Sequence, residues 1–215
     1  MNELIEAVGC IRKGGLVLYP TDTTYALGVD ACNSTAIRLL RKFKGGRGTK
    51  PFSIMVSDED MASRFVKLRN EDRELLRRLL PGPYTLIFHQ RERVLLEVAG
   101  TQPTIAIRIP RCTRALDLVR GVGSPITATS ANRSGDSPMV SPRRFLARYG
   151  ELGSSKNFFK TIDGGELADN KPSTILDCTG PKVLLIRPGA GPWLPPESSD
   201  PVSRPSAPTH RSARQ

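Results

Sequence analysis

Between Leu16 and Lys50 the chain runs LVLYPTDTTYALGVDACNSTAIRLLRKFKGGRGTK, an order that restricts the fold more than any other stretch. An apolar run of strand length, Leu16 to Tyr19, stops at Pro20 and turns through Thr21-Asp22-Thr23-Thr24. The spacing then predicts a helix with Ser34 as N-cap, Ile37, Leu40 and Phe43 inward, and Arg38, Arg41, Lys42 and Lys44 outward. Gly45 and Gly46 end it, and Lys50-Pro51 leads into a second strand candidate, Phe52 to Val56. Such an order belongs to one α/β domain, for which 215 residues and 38% hydrophobic content supply enough core. Open α/β sheets collect ligands where strands end, because amides and hydroxyls are released there from ladder bonding. A single Thr-Asp pair is more often an ordinary Asx or Ser/Thr turn.

The alternation continues downstream. A helix is expected from Asn70 to Leu80, with Glu71 and Asp72 in its first turn and Pro81-Gly82-Pro83 as its stop. Tyr84 to Phe88 and Thr104 to Ile109 read as strands, Thr113 to Arg120 as a helix, and Pro125 to Thr129 as a strand running into Ser130-Ala131-Asn132. Ser141-Pro142 has the N-cap and N1 pair that opens a helix to about Tyr149. Phe158 to Asp163, Ser173 to Asp177 and Val183 to Arg187 are three further strand candidates. Residues 1–191 thus form the expected domain, and 192–215 an expected disordered Pro/Ser/Arg-rich tail, since almost nothing apolar follows Leu194.

The formal charge of +11 and pI near 10 attract polyanions at low salt, yet aromatic residues are few and no RNA-binding signature is present. Cys10, Cys32, Cys112 and Cys178 form no CxxC pair and read as reduced, buried thiols. Leu4, Ile5, Val8 and Ile11 are spaced as on a helix rather than as a signal peptide, and no stretch has bilayer-spanning length. A cytoplasmic protein with no membrane partner is expected. Metal-binding motifs are missing, as are a Walker A loop and a GxSxG elbow. What remains is an inventory for a polyanionic substrate: Lys44, Arg47, Lys50, Arg108 and Arg187, with Thr21, Thr23, Thr104, Ser130, Asn132 and Ser173. Each of these cations taken singly is more often a solvated surface charge.

Taken in order, PTDTTYALG, a K-x-x-R loop followed by KPFS, PGPYTLI, TIAIRIP, PITATSANRSG, Ser173-Thr174 and LLIRPG resemble the YrdC-like family of threonylcarbamoyl-AMP synthases, over about Leu4 to Gly189. The resemblance implies a single-domain α/β fold, a twisted mixed sheet with helices packed on it and a basic concave face. It implies condensation of L-threonine, bicarbonate and ATP to threonylcarbamoyl-AMP and pyrophosphate, with partner proteins passing the threonylcarbamoyl group to tRNA. Carried over by motif, Thr21, Thr104, Arg108 and Ser173 are the expected threonine contacts. Lys44, Arg47, Ser130, Asn132 and Arg187 are the expected ATP contacts, Lys44 and Arg47 doubling as the catalytic pair. ATP is a substrate here, with Mg²⁺ expected on its phosphates and no protein-held metal. Arg108→Ala is expected to remove activity and leave the fold intact.

Departures from the family pattern fall in the first stretch: Lys44 and Arg47 are separated by two glycines where K-x-R is usual, and YALG stands for YGLG. KPFSIMV resembles the YciO-like branch. The alternative reading is therefore a YciO-like RNA-binding or accessory protein with little synthase activity, using the same basic face for RNA.

Overall fold

The computed structural model describes residues 2–45, 50–91, 96–100, 102–150, 158–168 and 171–193. Its elements in chain order are α1 (Asn2–Arg12), β1 (Leu16–Tyr19), β2 (Ala26–Gly28), α2 (Ser34–Lys44), β3 (Ile54–Met55), α3 (Glu59–Ser63), α4 (Asn70–Leu79) and β4 (Tyr84–His89). There follow α5 (Leu96–Ala99), β5 (Thr104–Arg108), α6 (Thr113–Val122), β6 (Ile126–Thr127), β7 (Thr129–Ser130), α7 (Pro142–Tyr149), β8 (Phe159–Thr161), β9 (Thr174–Asp177) and β10 (Leu184–Arg187). The expected tail, apart from its first two residues, lies outside the described residues.

The mixed α/β architecture matches the expectation, but the strands are shared between two sheets. One has the order β7-β2-β1-β8, the other β10-β9-β4-β5-β3-β6, and each mixes parallel and antiparallel pairs. The segment 126–130 serves both: Ile126 and Thr127 pair with β3, whereas Thr129 and Ser130 pair with β2. Between them the Ala128 N–H turns to the Ser53 carbonyl at 2.8 Å. Thr127, fully buried, stitches the junction by accepting from the Val29 N–H and donating to the Leu27 carbonyl, both at 3.1 Å. A buried hydroxyl needs both partners, and here it finds them on the other sheet. The strand so anchored delivers Ser130-Ala131-Asn132 to the place where the two sheets meet.

Alternation along the six-stranded sheet separates a buried face from an open one. Leu86, Phe88, Ile105, Ile107 and Leu176 point into the core, whereas Ile87, His89, Thr104, Ala106, Ile175 and Asp177 on the other face retain solvent contact. Arg108 stands on the open face at the end of β5, and the antiparallel register Leu86–Ile107 continues to place Thr85 beside it.

Helix α2 begins one residue earlier in its capping than the pattern suggests. Asn33 is the cap: its backbone is extended and its Oδ1 accepts the Ala36 N–H at 3.0 Å, while Ser34 is already helical. At the other end Gly45 adopts φ 68°, a left-handed conformation that closes the helix by donating its N–H to the Lys42 carbonyl. Removing the cap in Asn33→Ala leaves an amide of the first turn without its partner. A loss of about 1 kcal/mol is expected, read in thermal unfolding as a Tm roughly 2–4 °C lower.

Candidate active site

Arg108 organises the first part of the site. Its Nη2 donates to Asp22 Oδ1 and Thr23 Oγ1, both at 2.6 Å, and to Thr21 Oγ1 at 3.3 Å. The ion pair is sequestered, the Arg108 and Asp22 side chains being 7% and 11% exposed. Asp22 also accepts the Arg111 N–H at 3.1 Å, and Thr21 closes the turn by donating to the Thr24 carbonyl at 2.6 Å. The Thr-rich turn is thus a rigid hydrogen-bonded knot around one guanidinium. Arg108 Nε, although shielded from water, has no acceptor. A buried donor left unpaired costs about 1–3 kcal/mol.

A second cation stands across the same sheet face. Arg187 Nη2 donates to the Ser173 carbonyl at 2.8 Å and lies 3.4 Å from Ser173 Oγ. Ser173 Oγ is 2.8 Å from Thr85 Oγ1, so the row Arg187, Ser173, Thr85, Arg108 runs from β10 past the start of β9 to β4 and β5. Partial burial and the nearby charge of Arg108 both hold the Arg187 guanidinium below its ordinary pKa. Two like charges that feel each other, one buried at Arg108 and one exposed at Arg187, make a place where an anion is favoured.

Lys44, the last residue of α2, supplies a third cation. Its Nζ donates to the Ser130 carbonyl at 2.8 Å and to Asn132 Oδ1 at 2.9 Å, and Asn132 Oδ1 also accepts from Ser130 Oγ at 2.6 Å. Burial, with a smaller contribution from Lys50, lowers its pKa from 10.5 to about 8. The loop carrying Ser130 and Asn132 is tied to the Thr-rich turn as well. Ala131 donates its N–H to the Tyr25 carbonyl at 2.9 Å, and Ala26 pairs with Ser130. The turn 21–25 therefore lies between Arg108 on one side and the Ser130–Asn132 loop on the other.

Among the residues expected in the site, Thr21 and Arg108 come together, Ser173 and Arg187 come together, and Lys44, Ser130 and Asn132 form a third group. Thr104 does not join them. It sits at the opposite end of β5, paired with His89, four residues from Arg108, or about 13 Å along an extended chain. Arg47 lies outside the described residues. Sequence reasoning did not single out Asp22 as the partner of Arg108, nor Thr85. Asp22 stood in the motif itself, but Thr85 becomes visible only once β4 is set in register beside β5 and β9. The expectation of four buried thiols is met at Cys10 and Cys178, whereas Cys112 is half-buried and Cys32 is exposed.

The sequence and the fold both match known proteins. The family model described as "Telomere recombination" (Sua5_yciO_yrdC) matches residues 9–189. A threonylcarbamoyl-AMP synthase of Pyrococcus abyssi is 34% identical over 189 residues, covering 86% of this chain, which spans 54% of that relative's length. The structure of P. abyssi Sua5 complexed with L-threonine superposes with a TM-score of 0.79 at 34% identity, over 86% of this chain and 54% of the other. Escherichia coli YciO superposes with a TM-score of 0.78 at 28% identity, over 88% of this chain and 90% of the other. With its sheet topology and the matched region in agreement, the chain belongs to the Sua5/YciO/YrdC family.

Proposed function

We propose that this chain is a threonylcarbamoyl-AMP synthase, a nucleotidyltransferase that condenses L-threonine, bicarbonate and ATP and releases pyrophosphate. The observation that carries the reading is Arg108, a sequestered guanidinium with an unsatisfied Nε, ringed by the hydroxyls of Thr21 and Thr23. An amino acid's carboxylate is the anion that a guanidinium at such a site suits, and the threonylcarbamoyl-AMP synthase relatives make threonine the fitting choice. Ser173 offers a further hydroxyl, while Thr104 is too far along β5 to share the same carboxylate. Lys44 and Arg187 suit the phosphates, with Ser130 and Asn132 holding the Lys44 ammonium in place. Arg47, three residues beyond the end of α2 in sequence, is proposed as an additional phosphate contact.

In the chemistry this site supports, the threonine amine adds to carbon dioxide with loss of a proton, or condenses with bicarbonate with loss of water, to give a carbamate. A carbamate oxygen then attacks the α-phosphorus and pyrophosphate leaves. No histidine is required, because the burden is to bring several negative charges together and hold them in line. Arg108 would neutralise the carboxylate, and Lys44 and Arg187 the charge that builds on the leaving phosphates. Among the described residues no group of three or more His, Cys, Asp or Glu could hold a metal. We place Mg²⁺ on the phosphates of ATP, where it would offset their charge. No described helix is long and apolar enough to cross a membrane, and we assign the protein to the cytoplasm, where partner proteins would carry the threonylcarbamoyl group to tRNA.

Purified protein is expected to release pyrophosphate only when threonine, bicarbonate and ATP are all present. Release that continues without threonine, or no release under any combination, would overturn the assignment. RNA gel shifts on the same sample test the YciO-like alternative, which calls for salt-sensitive RNA binding and no nucleotide-dependent product.

A further inference from the structure

We infer that the end of α7 clamps the loop that holds Lys44, with Tyr149 and Asp136 acting as positioning residues for the phosphate-binding ammonium. The inference rests on the proposed nucleotide role of Lys44. Tyr149 OH donates to Asp136 Oδ2 at 2.5 Å and accepts the Arg133 N–H at 3.2 Å, so one phenol grips the loop at two points. Arg148, its neighbour on α7, donates to Asp136 Oδ1 at 3.2 Å. The Asp136 backbone carbonyl accepts from Asn132 Nδ2, and the other end of that amide, Oδ1, accepts from Lys44. A continuous chain of hydrogen bonds thus runs from α7 to the lysine. The loop returns to α2 a second time through the Ser134 N–H, which donates to the Lys44 carbonyl at 2.9 Å.

Packing supports the same grip. The Tyr149 ring meets Phe43 edge-on at 5.4 Å and Phe145 at 5.1 Å, and Phe43 is the residue before Lys44. The Arg133 guanidinium lies over both Phe43 and Tyr149, 5.9 and 5.8 Å from their centroids. Hydrogen bonds from Tyr149, then from Arg148, hold the Asp136 carboxyl below the usual carboxylate pKa, so the clamp is ionised throughout the neutral range. Lys50 is the charge Lys44 feels most, while Arg133 and Asp136 lie on the loop packed against it. A loop that supplies a phosphate contact must be fixed before the ligand arrives, because any freedom it keeps is lost on binding.

Tyr149→Phe keeps the ring contacts and deletes the phenol. By calorimetry, ATP is expected to bind at least five-fold more weakly while the threonine dissociation constant stays within two-fold. In a Lys44→Met background the same substitution should have no further effect on ATP, since the clamp acts through the lysine. Equal losses for both ligands, or a full loss repeated in the Lys44→Met background, would make Tyr149 a merely structural residue and overturn the proposal. A second readout does not depend on ligands. The Lys44 side-chain NMR signal should titrate near 8 in the parent and move toward 10.5 in Tyr149→Phe as water reaches the freed ammonium. An unchanged titration overturns the clamp whether or not ATP binds. A parent that binds ATP but makes no product would instead sink the synthase reading and leave the clamp standing.

Discussion

Arg108→Ala should abolish pyrophosphate release and, contrary to the expectation from sequence, should also destabilise the fold. The guanidinium neutralises Asp22 in a setting where both side chains are nearly sequestered, and it is the donor for Thr23 and Thr21. Removing one partner of such a pair leaves a carboxylate in poor contact with water, at a cost of about 3–5 kcal/mol. In thermal unfolding this corresponds to a Tm lower by on the order of 10 °C. Lost turnover in that variant would therefore be ambiguous. Two companions remove the ambiguity. Asp22→Asn combined with Arg108→Ala discards the stranded charge and should recover much of the stability with no recovery of activity. Arg108→Lys keeps the charge close to Asp22 but not the planar fork, so it should fold and turn over at least a hundred-fold more slowly. Wild-type turnover in Arg108→Lys would mean that the carboxylate is bound elsewhere.

That contrast marks where the sequence was legible and where it was not. The Thr-rich turn, α2 and the Ser130-Ala131-Asn132 loop could be placed from strand-ending prolines, apolar spacing and glycine stops, because those signals are local. β2 escaped notice because Ala26–Gly28 is too short to carry an alternation, and its identity as a strand depends on β1 and β7 lying on either side. The division into two sheets escaped for a similar reason. Pro125 to Thr129 reads as one apolar strand running into Ser130, and only the partners at each end reveal that the segment changes sheets at Ala128. In the site, residues that bond within their own motif were foreseeable, whereas the pairing of Arg108 with Asp22 joins positions 86 residues apart. Thr104 shows what distance along a strand adds. A residue in the same motif and on the same face as Arg108 need not be near it, since a strand separates its ends by the rise of every residue between.

Lys44 carries the second large effect, and pH separates its two consequences. Because burial has already lowered its pKa to about 8, the ammonium is charged at neutral pH but lost under mildly alkaline conditions. Phosphate binding needs the charged form, so ATP affinity should fall as pH rises through about 8. Folding responds in the other direction. The unfolded chain, with an ordinary lysine near 10.5, binds more protons than the folded chain between about 8 and 10.5, so this residue's contribution to stability rises with pH across that window. A site in which affinity declines while stability improves is not expected from general alkaline denaturation. Lys44→Met removes the titrating group and retains a flexible apolar stem. It should weaken ATP binding by about 1.5–3 kcal/mol, the range for hydrogen bonds to a charged group, and should flatten the affinity profile between pH 7.5 and 9.5. If the slope persists in Lys44→Met, another group controls it. The lysine would then be a structural strut between α2 and the Ser130–Asn132 loop rather than a ligand of the phosphates.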